Sequence, residues 1–289
     1  MLEHLNPAPQ KPKRVVVMGA GGFVGGAILE RLVKADVPAV GLARKDVDLL
    51  APDASQKLAA LLKGEDSFVA VSARAPVKNP DMLIENLIMV RAMLAALAQV
   101  PTAHVVNISS DAIYADGPVP LTEASPAAPT SLHGVMHLAR ELMFRAEVKA
   151  PLAMLRPTLI YGAKDPHNGY GPNRFRRLAA DGKEIVLFGD GEERRDHVYI
   201  GDVAEIAVRV LLHRSRGELN VASGEVHSFR TIAEKVVRVG GKPVPIRGSP
   251  RSGPAPHNGY RPFDVARCRA AFPTFRSTPI DRGLELANG

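Results

Sequence analysis

Arg14-Val-Val-Val-Met18 runs directly into Gly19-Ala-Gly-Gly22-Phe-Val-Gly25, and how this stretch is read decides the fold. The first part is a short apolar run rich in β-branched residues that stops at glycine, the pattern of a strand buried on both faces. From Phe23 to Lys34, Val24, Ala27, Ile28, Leu29, Leu32 and Val33 recur at helical spacing, with Glu30, Arg31 and Lys34 outside them. A strand, a glycine turn and a helix therefore follow in order. Gly19 permits a tight turn, Gly22 lets the backbone approach a pyrophosphate closely, and Gly25 lets the helix pack close to the sheet. The helix start at Phe23 and Val24 adds free amides and the positive end of the helix dipole. In this context the spacing predicts dinucleotide binding.

The same alternation continues down the chain. Strands are expected at Val37 to Ala43, Phe68 to Ser72, His104 to Ile108 and Leu152 to Leu155, and helices at Ser55 to Lys63, Asp81 to Val100 and Leu132 to Lys149. Strands alternating with helices predict an α/β fold, a doubly wound parallel sheet of Rossmann type wound by right-handed crossovers. At the end of the second strand an acidic residue would bond a free ribose hydroxyl, whereas arginine accommodates a phosphate. Here the chain reads Gly41-Leu-Ala-Arg44-Lys45, which favours NADP over NAD, with Asp46 and Asp48 keeping NAD open.

From about Tyr161 the texture changes. GAKDPHNGYGPNR and KPVPIRGSPRSGPAPHNGYRP read as loops lining a smaller C-terminal substrate lobe. Asp202 to Leu212 reads as a helix returning to the first domain. The expected division is a flexible tail over 1–13, a dinucleotide-binding domain over 14–160 with 197–222 returning to it, and a substrate lobe over 161–196 and 223–289.

Composition narrows the partners. Of 289 residues 46% are hydrophobic and 23% charged, the balance of an ordinary globular chain. No apolar stretch approaches the roughly 20 residues of a membrane span, and MLEHLNPAPQKPKR lacks the apolar core of a signal peptide. One cysteine, Cys268, allows no internal disulfide and fits a reducing compartment. A cytoplasmic location with no membrane partner is expected. The charge of +7, with Arg174, Arg176, Arg177, Arg194 and Arg195 among its sources, implies an anionic small molecule. With 5% aromatic residues and no tryptophan the chain offers few stacking platforms, so nucleic acid is not expected.

Taken together, GAGGFVG, DVDLL, Asn86, ISSDAIYAD, LRPTLIYG, GDGEERRDHVYIGDVAE and LNVASGE occur in an order that resembles the extended short-chain dehydrogenase/reductases, in their NAD-dependent epimerase/dehydratase branch. The resemblance spans nearly the whole chain. It implies a nucleotide-sugar substrate and a cofactor site in which Asp48 and Leu49 lie beside the adenine. It further implies that Ser72 and Ala73 line the cofactor and that Pro157 meets the nicotinamide. The short RKDVDLL segment looks like the layout of the reductases of that branch. Arg195 is expected to face the substrate diphosphate, a role that suits its planar fork, and Asp111 is placed on the substrate side with it. Many members pair through two long helices, here Asp81 to Val100 and Leu132 to Lys149, so a homodimer is expected; Leu83, Leu87, Val90 and Leu94 would serve that interface or the core.

The chain departs from the family where the chemistry lies. The resemblance implies a serine that aligns the substrate, a tyrosine that exchanges a proton with it, and a lysine four residues later that lowers the tyrosine pKa. Ser110 holds the first place, but His133 and His137 hold the other two. Their offset puts both on one helix face. His133 is read as general acid/base, tuned by His137 or by the cofactor, which His137 would also touch. A metal pair lacks the glutamate of HExxH and an evident third ligand, and none is expected. The rival reading is a non-catalytic dinucleotide-binding sensor or scaffold, or a site that borrows Tyr114, Tyr161 or Asp111. Leu159 and Ile160 replace an asparagine that touches the sugar nucleotide in many relatives. Ala112 replaces a dehydratase glutamate, which argues against 4,6-dehydration.

Overall fold

In the computed structural model, which describes residues 2–240 and 242–288, β1 (Arg14–Met18) is apolar on both sides for a physical reason. Val15 and Val17 join one buried cluster, while Val16 and Met18 join another across the sheet. A strand buried on both faces needs helices on both. α1 (Phe23–Lys34) leads to β2 (Ala39–Leu42), and α2 (Ala54–Leu61), β3 (Asp66–Ala70), α3 (Pro80–Gln99) and β4 (His104–Ile108) follow. A short 3-10 turn over Asp111–Ile113 precedes α4 (Leu132–Glu147) and β5 (Leu152–Pro157).

Beyond β5 come β6 (Leu159–Tyr161), α5 (Pro172–Ala180), β7 (Ile185–Phe188), β8 (Arg194–Tyr199), α6 (Ile200–Leu212) and β9 (Gly217–Val221). The described chain continues with β10 (Val226–Ser228), α7 (Phe229–Gly240), β11 (Ile246–Ser249), a second 3-10 turn over Pro256–Gly259, β12 (Tyr260–Arg261), α8 (Ala266–Ala271) and α9 (Ile280–Asn288).

The main sheet has six strands in the order β2-β1-β3-β4-β5-β9, every pair parallel. Buried residues of α1 and α6 pack on one face and those of α2, α3 and α4 on the other, which is the Rossmann architecture expected from the alternation. From β1 the chain turns out to β2 and then crosses to β3 on the other edge of β1. The carboxyl ends of β1 and β3 therefore flank a crevice, where ligands settle in open α/β sheets.

The lobe has its own core, built by Phe175, Ile185, Leu187, Phe229, Ile232 and Leu284 among others. Its strands differ from the expected loops. Within the Pro-rich stretch, β11 pairs parallel with β7 and β12 pairs parallel with β8. These strands are two to four residues long, too short to carry a readable period. β6 and β8 also pair with each other outside the main sheet, and Val198 of β8 is buried in the same cluster as Val15 and Val17. The segment expected as a flexible tail is laid against the domain: Glu3 exchanges backbone bonds with Arg216, and His4 stacks on His213 with ring centroids 4.4 Å apart.

Candidate active site

A cleft of about 1100 Å³ runs from the glycine turn to the lobe. Gly19 sits at φ +104, and a Cβ there would lie 2.7 Å from the Ser72 backbone nitrogen. A Cβ on Gly25 would lie 2.2 Å from the Gly19 carbonyl oxygen. β1, β3 and α1 thus meet at backbone distance, as a pyrophosphate cradle requires. The N-cap, Gly22, brings no side-chain acceptor, and the first turn of α1 has no acidic residue, so nothing there competes with an anion. At the rim of the cleft Arg44 donates through Nε and Nη2 to Asp48 Oδ2 at 3.1 and 3.0 Å. The Leu50 amide and Arg44 hold the Asp48 carboxyl below its ordinary range.

Ser110 follows β4, and its hydroxyl caps the 3-10 turn by accepting from the Ala112 amide at 3.1 Å. His133 and His137, one turn apart on α4, meet edge to face with centroids 4.7 Å apart. The Val77 amide donates to His133 Nδ1 at 3.5 Å, which leaves the proton of a neutral ring on Nε2. Burial pushes the His133 pKa down, against Asp111, and pushes that of His137 well down. Among the described residues His137 Nδ1 is buried without a hydrogen-bond partner. One turn further along α4, Arg140 is fully buried; its Nη1 and Nη2 donate to the Ser72 and Ala70 carbonyls at 2.7 and 2.8 Å, and its Nε to Asn107 Oδ1. Desolvation lowers its pKa to about 10.

On the lobe side, Arg195 projects from β8 with its Nη2 3.9 Å from Asp111 Oδ2 and its Nη1 3.3 Å from Glu193 Oε1. The neighbouring Asp196 is buried and accepts from Thr158 Oγ1, the Ser223 and Gly224 amides and Ser223 Oγ, which pins β8 to the end of β9. Arg261 is buried from β12 and donates to Asp116 Oδ1 at 2.8 Å and to the Asp111 carbonyl at 2.9 Å. His257 Nδ1 is hydrogen-bonded to the same Asp116 oxygen. The carboxylates of Asp111 and Asp116 and the guanidiniums of Arg195 and Arg261 are interleaved here, a fixed charge pattern in the cleft wall.

A model of the NAD dependent epimerase/dehydratase family matches residues 15–222, from the first strand of the sheet to the last. The chain belongs to that family. It is 30% identical over 152 residues to the dTDP-4-dehydro-6-deoxy-D-allose reductase of Streptomyces bikiniensis, a match that covers 50% of this chain and 44% of that protein. It therefore spans less than half the length of that relative. The fold is similar to that of Thermus thermophilus UDP-glucose 4-epimerase in complex with NAD, with a TM-score of 0.82 and 23% identity over 95% of this chain and 97% of that one. It is also similar to that of a GDP-L-fucose synthetase from Naegleria fowleri bound to NADP, with a TM-score of 0.86 and 16% identity over 100% and 96% of the two chains.

In this family member the cleft brings together Gly19, Gly22, Phe23, Val24, Gly25, Arg44, Asp48, Leu49, Ser72, Ala73, Ser110, Asp111, His133, His137, Pro157 and Arg195, whereas Asp46 and Asn86 do not line it. Of the tyrosines offered as substitutes, Tyr161 lies in the lobe core, off the cleft wall. Tyr114 does line the cleft, but its hydroxyl donates to Asn220 Oδ1 at 2.7 Å and accepts from Arg156 Nη1 at 2.8 Å, and burial raises its pKa to about 12. It is a structural tyrosine. Sequence reasoning missed Asp116, His257 and Arg261. The PHNGYR stretch has no period, and the contacts of its histidine and arginine lie more than 140 residues away, at Asp111 and Asp116.

Proposed function

We propose that the protein transfers hydride between a nicotinamide dinucleotide and a carbonyl or hydroxyl of a nucleotide sugar, in a reduction or an epimerisation, with His133 in place of the family tyrosine. The observation that carries this is the single cleft in which the glycine turn, Ser110, His133 and Arg195 share one wall system. The glycine cradle fits a dinucleotide because Gly19 and Gly25 let the strand ends and α1 meet at backbone distance, where a Cβ would clash with the Ser72 or Gly19 backbone. The bound nicotinamide would supply or accept the hydride. Arg44 at the rim, exposed and paired to a half-buried Asp48, favours a 2′-phosphate and hence NADP. Arg195 offers a fork to the diphosphate, with Asp111 and Glu193 holding it in place.

His133 and Ser110 act on the sugar oxygen. With Nδ1 accepting from Val77, His133 presents Nε2, which donates a hydrogen bond when neutral and a proton when charged. Ser110 lines the same cleft and aligns the same oxygen. Ile84 on α3 and Val135 and Leu142 on α4 are exposed large apolar residues, which supports pairing of two copies through these helices.

Fluorescence titration with NADPH and NADH, followed by stopped-flow oxidation of the bound cofactor across a panel of keto nucleotide sugars, tests the proposal. Oxidation with one of them, lost in His133→Phe, is the expected result. Tight binding with no oxidation by any sugar would make the protein a dinucleotide-binding sensor or scaffold. Failure to bind either dinucleotide would remove the basis of the proposal.

A further inference from the structure

The substrate lobe brings a second imidazole to the cleft, from a different element than α4. His257 lies in the turn Pro256–Gly259 and lines the cleft beside Asp111, Asp116 and Arg195. Its Nδ1 is bonded to Asp116 Oδ1, and Arg261 Nη1 donates to the same oxygen at 2.8 Å. An ionised carboxylate only accepts, so the ring proton sits on Nδ1 and the lone pair of the neutral ring on Nε2. Arg261 Nη1 stands 3.0 Å from Nδ1 because both groups crowd one carboxylate oxygen. Among the described residues Nε2 has no hydrogen-bond partner, and it is not one of the buried atoms. A carboxylate on one ring nitrogen of a histidine that lines a cleft, with the other nitrogen unpartnered and not buried, is the arrangement of an oriented general base.

The backbone is strained to place that ring. His257 and Asn258 take φ of 54° and 53°, and Gly259 follows at 75°. Two successive non-glycine residues in the left-handed region persist only where surrounding contacts hold them, and such outliers gather at functional sites. Here the holding contacts are those of the ring with Asp116 and Arg261. The charged groups facing His257 are Asp116, Arg195 and Arg261, with Asp111 behind the two arginines. Burial first, and then Arg195, lower its pKa, so the ring is in its base form near neutrality.

We propose that His257, held by Asp116, is a second proton-transfer residue of this cleft, one that removes and returns a proton on the carbon beside the carbonyl of a keto sugar. In the forward step the C–H bond breaks, its proton passes to Nε2, and the electron pair forms a C=C bond while the carbonyl becomes an enolate oxygen. The reverse step re-forms C–H. No electron is gained or lost and no co-reactant is consumed. This inference rests on the nucleotide-sugar reading above, and it makes the cleft competent to exchange the hydrogen next to the carbonyl independently of hydride transfer.

The experiment is to incubate the full chain with dTDP-4-keto-6-deoxyglucose in D₂O without nicotinamide and follow the sugar C3 and C5 protons by NMR. Loss of one of these signals at least about 100-fold faster than in protein-free solution is expected, in the range of general base catalysis. His257→Gln should bring the rate to near background, and Asp116→Asn should lower it at least about tenfold. His257→Ala should regain exchange in proportion to added imidazole, which a misfolded variant would not do. Exchange that survives in His257→Gln, or Ala variants deaf to imidazole, would overturn the assignment. NADPH oxidation by the same sugar in the wild-type protein separates the two readings: oxidation without exchange overturns this inference alone, whereas no binding, oxidation or exchange overturns both.

Discussion

His133 stands where the family resemblance calls for a tyrosine, and in the proposed reaction its protonation would decide which direction it serves. Burial holds its pKa below the ordinary histidine value, Asp111 opposes this, and His167 adds to it. Reduction needs the imidazolium as acid, so its rate should be greatest at low pH and fall about tenfold per unit as pH rises through that lowered pKa. Oxidation of an alcohol needs the neutral ring, and its rate should rise through the same value and level off above it. Opposite pH profiles for NADPH oxidation and sugar oxidation check this, and His133→Phe should lower both by roughly 10²- to 10⁴-fold. The two histidines were legible in the sequence; the lowering of their pKa values was not, because it comes from desolvation by the groups packed around them. A buried histidine away from the cleft makes a stability prediction. His104 donates Nε2–H to the Ser215 carbonyl at 2.7 Å, and burial lowers its pKa to about 4. Because the folded value is lower, protonation favours the unfolded chain: its contribution is intact above about pH 6.5 and is lost as pH falls toward 4, by roughly 3 kcal/mol. Urea unfolding at several pH values should show this loss, and His104→Gln should flatten it.

At the scale of elements, the start of α1 was readable because glycine is demanded by backbone proximity, which leaves a mark in the sequence. Gly25→Ala puts a Cβ 2.2 Å from the Gly19 carbonyl oxygen and forces α1 away from β1. The variant should bind NADPH at least about tenfold more weakly in a fluorescence titration, since the turn and the helix amides no longer converge on one pyrophosphate. Unchanged affinity would show that the cradle lies elsewhere. β11 and β12 left no comparable mark. Arg261 belongs to a two-residue strand, and what keeps it in place is the Asp111 and Asp116 wall of the other domain. The turn carrying His257 read as a loop for the same reason: its conformation is imposed by partners, not by local propensity.

For the whole molecule, the arrangement of exposed and buried apolar residues bears on assembly. Val90 and Leu94, weighed in the sequence as interface residues, are buried in the core, whereas Ile84 and Leu142 are 54% and 56% exposed. If α3 and α4 form the proposed dimer, Leu142→Glu combined with Ile84→Glu should yield a folded monomer by sedimentation, with cofactor binding as the check on folding. A monomeric wild-type protein would instead leave these residues as isolated surface apolars. The N-terminal segment adds a second long-range feature. His4 is bonded to Ser215 Oγ at 2.7 Å and to the Ala271 carbonyl at 2.9 Å, so residues near the start bridge the turn after α6 and the end of α8. Among the described residues no helix is long and apolar enough to cross a membrane.

The amino-acid sequence by itself determined the alternation of strands and helices in the first domain, the doubly wound sheet, the glycine turn and the residues of the first domain that meet in the cleft, Asp116 apart. Each of these depends on local periodicity, on glycine where backbones touch, or on spacing along one helix, and such constraints act within a few residues. Tertiary structure alone decided that Tyr114 is committed to Asn220 and Arg156, that burial lowers the pKa values of His133 and His137, and that His257 reaches Asp116. Hydrogen-bond partners and desolvation are properties of the space around a group. That space is built by segments brought together from more than a hundred residues apart, as Asp116 and His257 are.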